Sequence, residues 1–242
     1  MDTLNIKNIS YRYKRSDQDV LKGLSCSFEP GIITAIVGQS GSGKTTLLSI
    51  MAGLDKPTDG HIYFGDRDLN QIDLDHYRSS QIAMIFQGFH LFPFLTALEN
   101  VCYPMEQNGI NDTEAKEKAE ELLASVGLTP DHMKRFPANL SGGEQQRVAI
   151  ARALANGAKV ILADEPTGNL DEENGEIVFD ILENLACEKN YCIIVVTHDM
   201  TMAARADKVL YLRKGQLSET QIIKKEPVNF MGNSESLDKG DL

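Results

Sequence analysis

One glycine-rich turn constrains this sequence more than anything else in it. Gly38-Gln39-Ser40-Gly41-Ser42-Gly43-Lys44-Thr45 stands between an apolar run ending at Val37 and the helix-like run Thr46-Leu47-Leu48-Ser49-Ile50-Met51-Ala52. The residues fit G-x-x-x-x-G-K-[ST], and a strand before and a helix after are the context that pattern requires. Glycines let backbone N–H groups turn inward around phosphates, and the helix start adds partial positive charge. Lys44 is placed to bridge β- and γ-phosphates and the Thr45 hydroxyl to ligate Mg²⁺, with Thr46 beside them at the helix start. The turn points to a nucleotide site and leaves the reaction open.

Four short apolar runs, Ile32–Val37, Ile82–Phe86, Val160–Ala163 and Cys192–Val196, are continuous rather than alternating. Such runs suit parallel strands covered by helices on both faces. Each ends in polar chemistry: the glycine turn, Gln87, Asp164-Glu165, and Thr197-His198. Ligands of a doubly wound sheet sit beyond the carboxyl ends of its strands, so these four ends are expected to form one site. By contrast, Leu24-Ser25-Cys26-Ser27-Phe28 alternates, as does Ile62-Tyr63-Phe64 less cleanly, which predicts an antiparallel sheet near the N-terminus. Apolar positions between Glu114 and Val126 recur at helical spacing, with Gly127 as the stop. The polar stretch from about Ser218 to Leu242 is expected to be a loosely ordered tail.

Asp164 and Glu165 follow a buried strand and, on their own, could be helix-capping acids. Beside a phosphate loop, Asp164 is the expected Mg²⁺ partner and Glu165 a base for an attacking water. A nucleotide kinase would instead pass the phosphoryl group to a bound acceptor.

Leu140-Ser141-Gly142-Gly143-Glu144-Gln145-Gln146-Arg147 opens a helix ending near Ala155. Ser141-x-x-Glu144 is itself a capping box. Two glycines directly after the serine each weaken a helix by about 1 kcal/mol relative to alanine, and a plain cap does not need them. Bare backbone at a helix start suits close approach to an anion, so Ser141, Gly142, Gly143 and Glu144 are candidates for a second phosphate contact. The chain's own glycine turn already serves its own nucleotide. This second contact is therefore expected to serve a nucleotide held by a partner, either another copy or a homologous subunit.

Composition narrows the remaining choices. The chain has 242 residues, 42% of them apolar, and a net charge of −11, which suits one folded domain and opposes a phosphate backbone, so no nucleic-acid role is expected. Cys26, Cys102, Cys187 and Cys192 are scattered without a C-x-x-C pair and are expected to be reduced, mostly buried thiols rather than zinc ligands. The start, Met1-Asp2-Thr3-Leu4, lacks the basic and apolar regions of a signal peptide, and no apolar run approaches the ~18 residues that cross a bilayer. Any membrane role is expected to pass through a partner.

Taken together, these motifs resemble the ATP-binding subunits of ATP-binding cassette (ABC) transporters, with Leu140 to Gln145 as the signature motif. The resemblance runs from about Leu4 to Gly215. It implies an α/β P-loop NTPase with a mostly parallel core sheet, an N-terminal antiparallel β-subdomain and an inserted helical subdomain near 88–157, the whole spanning 1–217. Two such domains in that family sandwich two ATPs, each between one phosphate loop and the partner's signature. The likeness further matches Tyr13 to the aromatic stacked on adenine, with Tyr11 as a weaker candidate; the alternative for either is a strand core residue. Gln87 matches the glutamine that touches Mg²⁺ and senses the membrane partner, Asp171 of Asn169-Leu170-Asp171 the D-loop, and His198 the histidine at the γ-phosphate. Lys44, Glu165 and His198 thus form the catalytic set. Departures are Gln39, where proline is frequent, and Asn169, where serine or alanine is.

Gly53 to Thr58, Thr96 to Val101 and Leu162 to Asp171 look like the bacterial macrolide-exporter, lipoprotein-release and antimicrobial-peptide-resistance branch. What that implies is an ATPase held at the inner face of the cell membrane by a separate transmembrane permease, exporting or extracting a peptide, lipoprotein or hydrophobic antimicrobial. The alternative is the same ATPase driving a mechanical or cell-wall regulatory complex without moving a solute. Phe86, Phe89, Phe92 and Phe94 cluster directly after Gln87. They are either core filler or a groove that grips a permease helix.

Overall fold

A computed structural model describes residues 3–14 and 16–222. Its strands are β1 (Leu4–Tyr11), β2 (Leu21–Phe28), β3 (Ile33–Val37), β4 (Asp59–Phe64), β5 (Arg67–Asp68), β6 (Ile82–Ile85), β7 (Val160–Asp164), β8 (Cys192–Thr197), β9 (Lys208–Arg213) and β10 (Gln216–Ile222). Helices are α1 (Lys44–Met51), α2 (Leu74–Ser80), α3 (Ala97–Gln107), α4 (Asp112–Ser125), α5 (Pro130–Met133), α6 (Gly142–Leu154), α7 (Glu172–Lys189) and α8 (Met200–Ala204).

The larger sheet has the order β10-β9-β3-β8-β7-β6. All of its pairings are parallel except the one between β9 and the edge strand β10. Alternate residues of each strand enter different cores: Ile193 and Val195 pack with α3, α4, α6 and α7 on one face. Cys192, Ile194 and Val196 pack with α1 and the antiparallel sheet on the other. Burial on both faces is why these strands read as unbroken apolar runs. The smaller sheet, β2-β1-β4-β5, is wholly antiparallel, and its inward residues Leu4, Ile6, Leu24, Phe28 and Ile62 close the second core.

Register fixes the functional edge. Val37 pairs with Thr197, Asp164 with Val196 and Ile85 with Ala163, so the four strands end side by side. The segments after them necessarily meet there.

Between β6 and β7 lie α3 to α6. Asn111 caps α4 through Glu114 N–H at 3.1 Å, and the helix stops before Gly127, whose φ of 78° needs glycine.

Two expectations are corrected. The polar stretch does not begin as loose chain at Ser218: β10 pairs with β9 as far as Ile222, and residues 223–242 lie outside those described. Lys214 (φ 49°) and Gly215 (φ 79°) make the two-residue turn between them, the mirror-image geometry that matches strand twist. Of the four thiols, Cys102 and Cys192 are buried, Cys26 is half-buried and Cys187 is exposed on α7.

Candidate active site

A cleft of about 640 Å³ opens at the shared strand edge. Ser40, Gly41, Gly43, Lys44, Thr45 and Thr46 form one wall; Gln87, Asp164, Glu165 and His198 form the other; Tyr13 and Val20 close the end. Gly38, Gln39 and Ser42 belong to the same turn and face a neighbouring cavity with His198. Gly43 adopts φ 102°, a conformation that favours glycine, and a Cβ there would also crowd Leu21 Cδ2 at 2.9 Å.

Lys44 is buried at 8% exposure, and its ammonium donates to the carbonyls of Gly38 at 2.8 Å and Gln39 at 3.3 Å. The Thr45 hydroxyl faces the Asp164 carboxylate. Burial raises the Asp164 pKa, and the Glu165 charge adds to it, while the Thr45 hydroxyl and Lys44 oppose the rise. Thr45, Asp164 and Gln87 bring a hydroxyl, a carboxylate and an amide carbonyl to the same cleft, oxygen donors that fit a hard divalent cation.

Glu165 stands in the left-handed region at φ 50°. That conformation costs a non-glycine residue about 1–2 kcal/mol and is held here by bonds on both sides. Its N–H donates to Val196 O at 2.8 Å, and its carbonyl accepts from Gly168 N at 3.0 Å. The carboxylate meets His198 Nδ1 at 2.7 Å. Its side chain is 14% exposed against 69% for the imidazole.

Tyr13 is half exposed at the cleft end and packs edge-on against Tyr11, with centroids 5.0 Å apart. Its hydroxyl is 2.8 Å from Thr46 Oγ1. Tyr13 lines the cleft, whereas Tyr11 packs against the second core.

Ser141, Gly142, Gly143, Glu144 and Asp171 do not line this cleft. Ser141 caps α6, accepting from Glu144 N at 3.3 Å, while Glu144 Oε2 accepts from Ser141 N at 2.7 Å. The capping box is therefore formed in full. Glu144 Oε1 also meets His132 Nε2 at 3.1 Å, and Thr129 N donates to the other ring nitrogen at 3.1 Å. Asp171 caps α7, accepting from Asn174 N at 2.8 Å, which holds its carboxyl below the usual range. A Cβ on Gly143 would overlap Asn174, so packing also calls for glycine there, whereas a Cβ on Gly142 would meet only ordinary contacts.

Sequence reasoning passed over Val20, which carries no motif. It passed over Gln146 and Arg152 as well. Arg152 donates to His90 O at 2.7 Å and Phe89 O at 3.1 Å, fixing the segment after Gln87 to α6. Asn169, the departure in the D-loop, donates to Gln87 O at 2.8 Å. The four phenylalanines separate: Phe86 packs on His90 at 5.2 Å, Phe92 on Tyr103 at 4.8 Å, and Phe94 is 89% exposed. Phe86, Phe92, Tyr103 and Arg152 line one surface groove. Core filling does not describe Phe92 or Phe94.

Comparison with known proteins decides the family, since a family model described as ABC transporter matches residues 21–168. This chain belongs to the ABC transporter family. It is an ATP-binding cassette and an ATPase. It is 46% identical to "Lipoprotein-releasing system ATP-binding protein LolD" of Desulfotalea psychrophila, over 90% of this chain and all of that one. Identity to "Macrolide export ATP-binding/permease protein MacB" of Syntrophobacter fumaroxidans is 38%, over all of this chain and 36% of that one. Among solved structures, the ATP-binding cassette MJ0796, a dimer in a post-hydrolysis state bound to ADP and Pi, aligns with TM-score 0.83 at 37% identity, covering 92% of this chain and 100% of that one. No helix among the described residues is long and apolar enough to cross a membrane.

Proposed function

We propose that this cassette pairs with a second copy or a homologous subunit and drives a separate transmembrane permease that extracts or exports a lipoprotein, peptide or hydrophobic antimicrobial at the cell membrane. The observation that carries the pairing is the separation within one chain of two phosphate-binding elements. The glycine turn lines the cleft, whereas the Ser141–Glu144 helix start lies outside it. Similarity to the lipoprotein-releasing and macrolide-export proteins supports the cargo class, and the Phe92–Tyr103 groove beside Gln87 is the surface a permease helix would occupy.

Gly38 to Thr46 hold the triphosphate, with Lys44 at the β- and γ-phosphates and Tyr13 against the adenine. Thr45, Gln87 and Asp164 would hold Mg²⁺, which would supply positive charge to the phosphate oxygens. Glu165 takes a proton from the attacking water as its oxygen bonds to the γ-phosphorus and the bond to ADP breaks. His198 orients Glu165 through Nδ1, leaving Nε2 for the γ-phosphate. Ser141, Gly142, Gly143 and Glu144 of the second copy close the site, and Asp171 lies at that junction. Closure is favoured only while the γ-phosphate is shared, so hydrolysis lets the halves part.

Ser141→Arg tests this. In a Glu165→Gln background it should abolish ATP-induced pairing measured by size-exclusion chromatography, and alone it should abolish turnover. Pairing and rate both unaltered would overturn the reading.

A further inference from the structure

Gln146 has no solvent exposure, yet it is polar. Its Nε2 donates to the carbonyl of Pro166 at 2.8 Å, while Oε1 has no partner among the described residues. A buried acceptor left without a bond is costly, and methionine or leucine would fill this space without one. The amide is therefore explained by the single bond it donates.

That bond falls at a sensitive place. Pro166 directly follows Glu165, the residue in left-handed geometry, and Gly168 N returns to Glu165 O at 3.0 Å to close the turn. A donor on Pro166 O fixes the next peptide plane of the same turn. Space around the turn is tight as well: a Cβ on Gly168 would lie 3.1 Å from Gln87 Nε2 and 3.4 Å from Glu165 Cβ. Gln146 sits five residues after Ser141 on a continuous helix, roughly 7.5 Å along its axis. The helix start and the turn thus move as one piece. A second contact supports the same coupling, because Asn174 of α7 packs against Gly143 at the start of α6.

We propose that Gln146 is a positioning residue, which sets the backbone behind Glu165 and makes the hydrolytic carboxylate of one chain depend on how that chain's signature helix is seated. The inference rests on the role given above to Glu165. In a paired molecule the signature helix bears on the nucleotide of the opposite copy, so Gln146 carries the state of one nucleotide to the carboxylate that acts on the other.

Gln146→Met keeps the volume and removes the donor. Phosphate release under steady state should show kcat falling roughly ten- to hundredfold, the scale of a displaced catalytic group, with the KM for ATP within about twofold of the parent. Single-turnover rates should also show that Gln146→Met adds no further loss in the Glu165→Gln background, because it acts through Glu165. Should the methionine variant not fold, Gln146→Asn, whose amide is too short to reach Pro166, takes its place. An unchanged kcat, a rise in KM alone, or an equal loss in both backgrounds would overturn the proposal. Normal turnover in Glu165→Gln alone would instead overturn the role of Glu165, so the two failures are distinct.

Discussion

Asn174 occupies the space that a side chain at position 143 would need: a Cβ built on Gly143 would lie 1.9 Å from Asn174 Oδ1. Asn174 cannot easily yield, because its Nδ2 donates to both carboxylate oxygens of Asp171 at 2.9 and 3.0 Å. At Gly142 the nearest atom to such a Cβ is Phe89 Cζ at 3.6 Å, an ordinary contact. Gly143→Ala should cost roughly 1–3 kcal/mol, a drop in Tm of about 2–10 °C in thermal melts. Gly142→Ala should melt like the parent and lose ATP-induced pairing. Equal melting temperatures for both variants would contradict this assignment of the two glycines.

Glu165→Gln should still bind ATP and accumulate as a closed dimer while phosphate release falls by about 10²–10⁴, the usual contribution of a general base. Size-exclusion chromatography with and without ATP, run beside the rate assay, checks both halves. Turnover close to the parent's would remove Glu165 from the chemistry.

Asp164 carries a pH signature. Its carboxyl is raised, first by burial and then by Glu165, so the folded chain holds this proton more tightly than the unfolded chain does. Stability is then lost as pH rises from the ordinary carboxyl value through the raised one, and stays lower above it. Asp164→Asn should therefore raise the Tm of the nucleotide-free protein at pH 7, and the gain should shrink as the pH is lowered into the carboxyl range. Turnover should fall by at least about 10². A lower Tm for the variant at neutral pH would contradict the sign.

Tyr13 has two separable parts, a ring at the cleft end and a hydroxyl bonded to Thr46. Tyr13→Phe keeps the ring, and KM for ATP should stay within about threefold, since one partly exposed hydrogen bond contributes about 1 kcal/mol or less. Tyr13→Ala should raise KM about three- to tenfold, the scale of a lost aromatic contact. KM equal in the alanine variant and the parent would move the adenine contact to Tyr11.

Phe92 and Phe94 test the groove. Phe94 is so exposed that Phe94→Ala should leave the melting temperature unchanged, whereas Phe92→Ala loses the Tyr103 contact and about 0.5–1.5 kcal/mol. Both should reduce stimulation of ATP hydrolysis by the reconstituted permease. Full stimulation in both would exclude the groove as the docking surface.

Much of this site was legible because its parts are local. Strands β3, β7 and β8 are buried on both faces and so leave apolar runs, and each run ends in the residue that the parallel register then delivers to the common edge. Less could be read where the signal is shared between distant segments. Strands β9 and β10 escaped notice because Lys-Gly is a weaker hairpin mark than Asn-Gly and charged residues flank Val209-Leu210-Tyr211-Leu212. The Tyr13–Thr46 bond spans 33 residues and the Gln146–Pro166 bond 20, with no pattern in either segment that names the other. A glutamine inside a helix reads as surface until the partner carbonyl is seen. The Ser141 box was legible twice over, as a cap and as an anion site, and the chain by itself displays the cap.

The Lys44 ammonium is already bonded to the carbonyls of Gly38 and Gln39. Arrival of a polyphosphate is accordingly an exchange of acceptors, and the cation's full attraction for an anion is never available as net affinity. A small anion lacking the other contacts of the cleft should gain little from that exchange. The same two carbonyls compensate the buried charge of Lys44 from within the chain, so the shape of the glycine turn does not rest on the anion alone.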